Sequence, residues 1–305
     1  VRRLLFVTLS NIGDLVMTTP ALVALHAAYP DAAIDIVADP RSSELLTRCP
    51  FLGRLEHRVK REGTAGFLAL VRRLRRERYE AVVDLRTDFL PWLLHARRRS
   101  ARWQAREHGP HAVEQHYAVA RRVLPASAVT QTIPDTRIWL AAADLDRAAE
   151  TLAGLPGSRR LVLAPGANWP GKRWPAAAYA ALARALRGDF DSLVLLGSAA
   201  DVAEAGAHFT DAALPTLNLM GRTSLIEAAA VMQLATLFVG NDSGLGHLAS
   251  AAGIPSVTVF GPGRPERYRP WGSRARLVMA PALDLAQLEP ATVAARVRET
   301  LAGAA

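Results

Sequence analysis

Short runs of apolar residues, each followed by a longer stretch with helical spacing, recur from one end of the chain to the other. Residues 4–8, 34–38 and 81–85 are such runs in the first half. Their nearly unbroken apolar character predicts strands of a parallel sheet covered on both faces by helices. Between them, Leu22, Leu25 and Ala28 predict a helix over 20–29. Over 67–78, Leu70, Val71 and Leu74 share a helical face opposite arginines. The pattern restarts at 161–164 and continues through 193–196, 217–219, 237–239 and 256–260, with a weaker strand at 276–279. Val293, Val297 and Leu301 repeat every fourth residue in a closing helix. The alternation predicts an α/β chain of two Rossmann-like, doubly wound domains facing across a cleft, with the carboxyl ends of both sheets at that cleft. The turn-rich Leu155-Pro156-Gly157-Ser158 sets the expected boundary, 1–155 against 156–305. The closing helix, about 286–305, is a candidate to return to the first domain.

The chain has 305 residues, half of them hydrophobic, which is enough for two ordinary cores. No apolar run reaches the ~20 residues that a spanning helix needs. The basic-then-apolar start, Arg2-Arg3-Leu4-Leu5-Phe6, meets Asn11 and Asp14 without a small-residue cleavage site, so it reads as a first strand and not as a signal peptide. The single cysteine, Cys49, rules out an internal disulfide framework and fits a reducing compartment, hence a cytoplasmic place. The formal charge of +9 would draw nucleic acid, an anionic membrane face or a phosphorylated substrate. Nucleic acid is disfavoured, because no recognition module or aromatic RNA-binding sheet signature is present.

Three motifs carry chemistry. Ser10-Asn11-Ile12-Gly13-Asp14 lies where the first strand passes into the first helix. Asp14 is placed either to take a proton from an attacking hydroxyl or merely to charge the helix start. Pro165-Gly166-Ala167-Asn168-Trp169-Pro170-Gly171-Lys172-Arg173-Trp174-Pro175 follows the first strand of the second half. Lys172 there can neutralise a diphosphate leaving group, or be a solvated loop lysine. In Val239-Gly240-Asn241-Asp242-Ser243-Gly244-Leu245-Gly246-His247, a buried strand ends at a small-residue helix start. Backbone N–H groups of Ser243, Gly244 and Leu245 would point at a phosphate with the helix dipole behind them. His247 is one turn on, on the face of Ser243. Asp242 would repel phosphate and more naturally orients neighbouring groups or a ribose.

In order and separation these motifs, with Asp84-Leu85-Arg86 and residues 221–227, resemble the bacterial lipopolysaccharide heptosyltransferases, glycosyltransferase family nine. The resemblance implies a GT-B fold and metal-independent, inverting transfer of a heptose from ADP-heptose to a lipopolysaccharide inner-core acceptor. It implies Asp14 as general base and Lys172 as the phosphate-binding lysine. Donor contacts then fall on Asn168, Asp242, Ser243, Gly244, Leu245 and His247. No metal or other cofactor is implied, and no Asp-any-Asp motif follows a strand. Ala167 and Asn168 depart from the hydroxyl residues that some relatives carry. The partners implied are a nucleotide-diphosphate sugar and an anionic glycolipid, with peripheral contact at the cytoplasmic face of an inner membrane.

For the acceptor, the first half offers Arg58, Lys60, Arg61, Arg97, Arg98, Arg99, Arg102 and Arg106, with Trp92 and Trp103 interleaved. Arginine suits carboxylates and phosphates, and tryptophan offers a sugar a flat face. Arg97, Arg98, Arg99 and Trp103 are the expected contacts; a solvated basic face is the plainer alternative. Another nucleotide-sugar donor, another glycan or protein acceptor, or a sugar-nucleotide epimerase of similar fold would use much of the same machinery.

Overall fold

The computed structural model describes residues 2–105, 109–130, 132–209 and 213–303, in two compact units, Val1–Trp139 and Leu140–Ala305. The first runs β1 (Arg3–Val7), α1 (Ile12–Ala28), β2 (Ala33–Ala38), β3 (Leu52–His57), α2 (Gly63–Leu74), β4 (Tyr79–Asp84), β5 (Ala96–Ala101) and α3 (Ala112–Arg121). Its parallel sheet has the order β3-β2-β1-β4-β5. The strand order therefore reverses between β1 and β4, where Val7 is in register with Asp84. In open sheets of this kind, ligands bind beyond the carboxyl ends of the strands at such a reversal.

The first helix begins eight residues before Pro20, at Ile12, and runs straight through the proline. A proline inside a helix removes one N–H and orphans the carbonyl four residues earlier. Here the Thr19 hydroxyl donates to that carbonyl, Val16 O, at 2.7 Å, and Thr18 does the same for Leu15 O at 2.7 Å. Two strands lay outside the apolar pattern. β3 and β5 are edge strands, and their sequences Leu-Gly-Arg-Leu-Glu-His and Ala-Arg-Arg-Arg-Ser-Ala are half polar, as unpaired sheet edges require.

The second unit runs α4 (Ala142–Leu152), β6 (Arg160–Ala164), α5 (Ala176–Ala185), β7 (Ser192–Leu195), α6 (Ala199–Ala205), β8 (Thr216–Asn218), α7 (Leu225–Gln233) and β9 (Leu237–Asn241). It continues through α8 (Gly244–Ala251), β10 (Ser256–Phe260), α9 (Pro265–Tyr268), β11 (Ala275–Met279) and α10 (Pro290–Ala302). The order β11-β10-β9-β6-β7-β8, all parallel, reverses between β6 and β9. The units divide ahead of the turn at Leu155, because α4 packs on α7 of the second sheet. The closing helix stays in the second unit as well: Val293, Ala294 and Val297 are buried in the same core as Leu161, Trp174, Tyr179 and Val259.

Candidate functional site

Each reversal point gathers one of the motifs. At the first, α1 begins directly after β1, and Asp14 stands in its first turn, half-buried. Asn11, the residue before the helix, donates from Nδ2 to Asp14 Oδ2 at 2.9 Å and so aims the carboxylate. A second carboxylate, Asp84, ends β4 with no exposure at all. It accepts from the backbone N–H groups of Arg86 (2.9 Å) and Thr87 (2.7 Å) and from the Thr87 hydroxyl. Asp39, just past β2, pairs with Arg41 at 2.9 Å and Arg86 at 3.2 Å. The hydrogen bonds from Arg41 hold its carboxyl below the usual carboxylate range, against its burial. Ser42 donates to Ser10 O at 3.1 Å, tying this loop to the end of β1. The Arg86 guanidinium also carries a buried Nη1 without a protein partner.

Burial pushes the Asp84 carboxyl up to about 6, against the opposing pull of its hydrogen bonds from Thr87 and Arg86. Between about pH 4 and pH 6 the folded protein thus holds a proton that the unfolded chain releases. Stability falls as pH rises through that window, by about 3 kcal/mol for this group, and its contribution is level above it. Asp84→Asn removes the titration. Its melting temperature relative to the parent should therefore rise between about pH 4 and pH 6 and then hold steady; a difference independent of pH would show that Asp84 keeps an ordinary carboxyl.

At the second reversal point, the loop after β6 meets the start of α8. Lys172 Nζ is 2.5 Å from Asp242 Oδ2, with Asp242 almost buried and Lys172 partly exposed. Ser243 is the N-cap of α8; its hydroxyl is buried without a protein partner and does not cap the helix. Gly244 and Leu245 form the first helical turn, whose N–H groups have no partner within the helix. His247 follows one turn later and is 5 % exposed, so it borders the helix start from inside the core. Asn168 is exposed on the loop, next to the half-exposed Trp169.

The residue that holds this arrangement together is Asn241, which the motif reading passed over as part of a strand end. It is fully buried. Its Oδ1 accepts from Trp174 N and the Tyr179 hydroxyl, both at 3.0 Å. Its Nδ2 donates to Pro165 O at 2.6 Å and Gly166 O at 3.3 Å. One side chain thus pins both ends of the Lys172 loop to β9. Asn241→Leu strands a backbone N–H, a buried hydroxyl and two carbonyls. It should lower unfolding free energy by about 3 kcal/mol or more, as read from denaturant midpoints. A loss within about 1 kcal/mol would mean that solvent already satisfies those groups.

Beside the same loop lies a cavity of about 320 Å³, lined by Gly166, Arg173, Trp174, Asp201, Glu204 and His208 among others. The Asp201 carboxylate reaches it because Gly166 has no side chain: a Cβ there would stand 2.3 Å from that carboxylate. The stretch around Gly221 has a structural job. Gly221 has φ +69°, with Ala199 backbone 2.7 Å from where a Cβ would be. Ser224 and Glu227 form a reciprocal cap at the start of α7.

The acceptor candidates are not gathered. Alternation along β5 sends Arg97 and Arg99 to one face and Arg98 to the other. Arg97 pairs with Glu80, Arg98 donates to Val123 O, and Arg99 donates to Pro91 O and Leu94 O. Trp103 stacks on Trp92, centroids 5.9 Å apart. Arg58 lies over the Phe67 ring at 5.1 Å, and burial lowers its guanidinium below the usual arginine value, helped by the charge of Arg86. Arg106 lies outside the described residues. Among the described residues, no three His, Cys, Asp or Glu side chains are grouped to hold a metal ion, and no helix is long and apolar enough to cross a membrane.

A sequence model of glycosyltransferase family 9 (heptosyltransferase) matches residues 67–293. Lipopolysaccharide heptosyltransferase 2 of Salmonella typhimurium is 30 % identical over 90 % of this chain and 87 % of its own length. Among solved structures, Escherichia coli ADP-heptose lipopolysaccharide heptosyltransferase II superposes with a TM-score of 0.80 at 25 % identity, covering 99 % of each chain. A family 9 glycosyltransferase from Veillonella parvula superposes at 0.86 with 20 % identity, covering 99 % of this chain and 97 % of its own, a likeness of fold.

Proposed function

Since this chain belongs to glycosyltransferase family 9, the heptosyltransferases, we propose that it moves a heptose from ADP-heptose to a lipopolysaccharide inner-core acceptor, with inversion at the anomeric carbon. The observation that carries the donor side is the meeting of Lys172, Asp242 and the first turn of α8 at the β6/β9 reversal. An ammonium and a set of free N–H groups at one helix start suit a diphosphate. The adjoining cavity is of a size for the nucleoside, with Asp201 and Glu204 as acceptors for its hydroxyl or amino groups.

In this mechanism Asp14 takes the proton of the acceptor hydroxyl. The oxygen attacks the anomeric carbon from the face opposite the diphosphate, and the carbon–oxygen bond to phosphate breaks as the new one forms. ADP departs with the bonding electrons, and Lys172 and the α8 N–H groups stabilise the charge it gains. Nothing in the step calls for a metal ion, so activity should persist in EDTA. The anionic acceptor is better matched to Arg58 and Arg86, at the carboxyl end of the sheet that carries Asp14, than to the dispersed Arg97–Arg99. The acceptor being a glycolipid, the protein works in the cytoplasm as a peripheral visitor to the inner membrane.

A thermal-shift panel of ADP, UDP, GDP and CDP tests the donor. At about a hundred times its Kd, a nucleotide adds about 2.7 kcal/mol to stability. ADP should give the largest shift, and a larger one with UDP or GDP would reassign the donor. Consumption of ADP-heptose should need acceptor; consumption without it would favour an epimerase.

A further inference from the structure

Of the five large apolar side chains exposed among the described residues of the first unit, all but Leu68 of α2 fall in two neighbouring turns. Phe89 is 74 % exposed, Trp92 47 %, Leu93 42 % and Trp103 47 %. They lie in two short turns, Leu90–Leu93 with the residue before it, and Arg102–Ala105, joined by the Trp92–Trp103 stack with its planes 27° apart. A contiguous apolar surface of this kind marks a place of interaction. It is also held rigidly. Arg99 donates to Pro91 O at 2.9 Å and Leu94 O at 3.2 Å, clamping the first turn, and Arg102 grips Asp88 through two hydrogen bonds at 2.9 and 3.1 Å.

The surrounding charge points to one occupant. Residues 1–139 carry 22 Lys and Arg against 14 Asp and Glu, a net +8; residues 140–305 carry 15 against 14, a net +1. The whole-chain charge of +9 is thus almost entirely a property of the unit that bears the exposed rings. Arg102, next to Trp103, is exposed in the turn after β5. Exposed tryptophans with Arg102 beside them, on a unit of strongly basic charge, suit the boundary of an anionic bilayer, where indole sits among head groups and guanidinium meets phosphate.

We propose that Phe89, Trp92, Leu93 and Trp103 form the surface by which the protein sits on an anionic membrane. The inference rests on the reading of a glycolipid acceptor and adds where the lipid lies. Trp103 follows the carboxyl end of β5, two strands from β1, so the patch is about 10 Å along the sheet from the strand that leads to Asp14. A lipid seated there leaves its sugar head group at the end of the sheet that holds the base.

Co-sedimentation with vesicles decides the matter. The full chain should pellet with an equimolar mixture of phosphatidylcholine and phosphatidylglycerol, with blue-shifted tryptophan emission. Binding to pure phosphatidylcholine should be about tenfold weaker, because it lacks the attraction of the arginines for anionic lipid. Phe89→Ser with Leu93→Ser, and separately Trp92→Ala with Trp103→Ala, should each lose about fivefold or more of the partition, which scales with apolar area buried. Failure of the parent to bind, or parental binding by both double variants, overturns the proposal. So does unchanged vesicle binding joined to a change in oligomeric state, which would make the patch a protein interface. Heptose transfer to a deacylated, water-soluble acceptor, measured without vesicles, keeps the two readings separate. The Phe89→Ser, Leu93→Ser variant should match the parent there, whereas absence of transfer by a parent that binds vesicles strikes the activity alone.

Discussion

Asp14→Asn is expected to cut turnover by about a hundredfold or more while leaving nucleotide affinity within a few-fold, the usual size of a lost general base. The substitution keeps the shape of the side chain and its place in the first turn of α1, and removes only the proton acceptor. The choice of Asp14 over Asp84 rests on access. Burial raises the Asp84 carboxyl to about 6, which by itself would suggest a functional base. Yet it has no exposed surface, and its oxygens are enclosed by Thr87 and the Arg86 N–H, so no acceptor hydroxyl can reach it. Asp14 is half-buried and held through one oxygen by Asn11. Measured kcat and ADP binding for Asp14→Asn separate the possibilities, and near-parental turnover would remove Asp14 from the chemistry.

Lys172→Ala should lower kcat/KM by about a hundredfold, with donor binding and transfer weakened together, because the charge is needed most as the diphosphate departs. The ion pair adds a second effect. Without the ammonium, Asp242 is left as an almost buried carboxylate at the edge of the proposed diphosphate site, where it would repel the donor. Lys172→Ala with Asp242→Asn should therefore recover part of the donor affinity lost by Lys172→Ala alone. If instead the double variant recovers parental donor affinity and transfer in full, Lys172 serves only as the partner of Asp242 and the diphosphate is bound by the helix start alone.

The sequence pattern located most of the strands, because parallel strands covered on both faces must be continuously apolar, and runs such as 161–164 and 256–260 have no other use. It missed β3 and β5 for the complementary reason. Edge strands are half solvated, so Arg97, Arg98 and Arg99 read as a basic cluster when they are an alternating strand. It started α1 late at Pro20, because proline is a start signal in isolation and an interior residue only when hydroxyls such as that of Thr19 supply the missing bond.

What the sequence by itself determined was the pair of strand-to-helix turns that carry Asp14 and the Asp242–Gly244 segment, since local apolar runs and small-residue helix starts are properties of neighbours along the chain. Strand order was beyond it. Both reversals, β1 against β4 and β9 against β6, arise from pairings between segments far apart in the chain, Leu4 with Ala81 and Leu161 with Leu237, which no local pattern encodes. Only tertiary structure could decide that Asp242 faces Lys172, that Asn241 ties both ends of the lysine loop, and that Asp84 is enclosed while Asp14 is open. Burial and long-range hydrogen bonding assign these roles, and identical residue types take opposite ones according to what the fold packs around them.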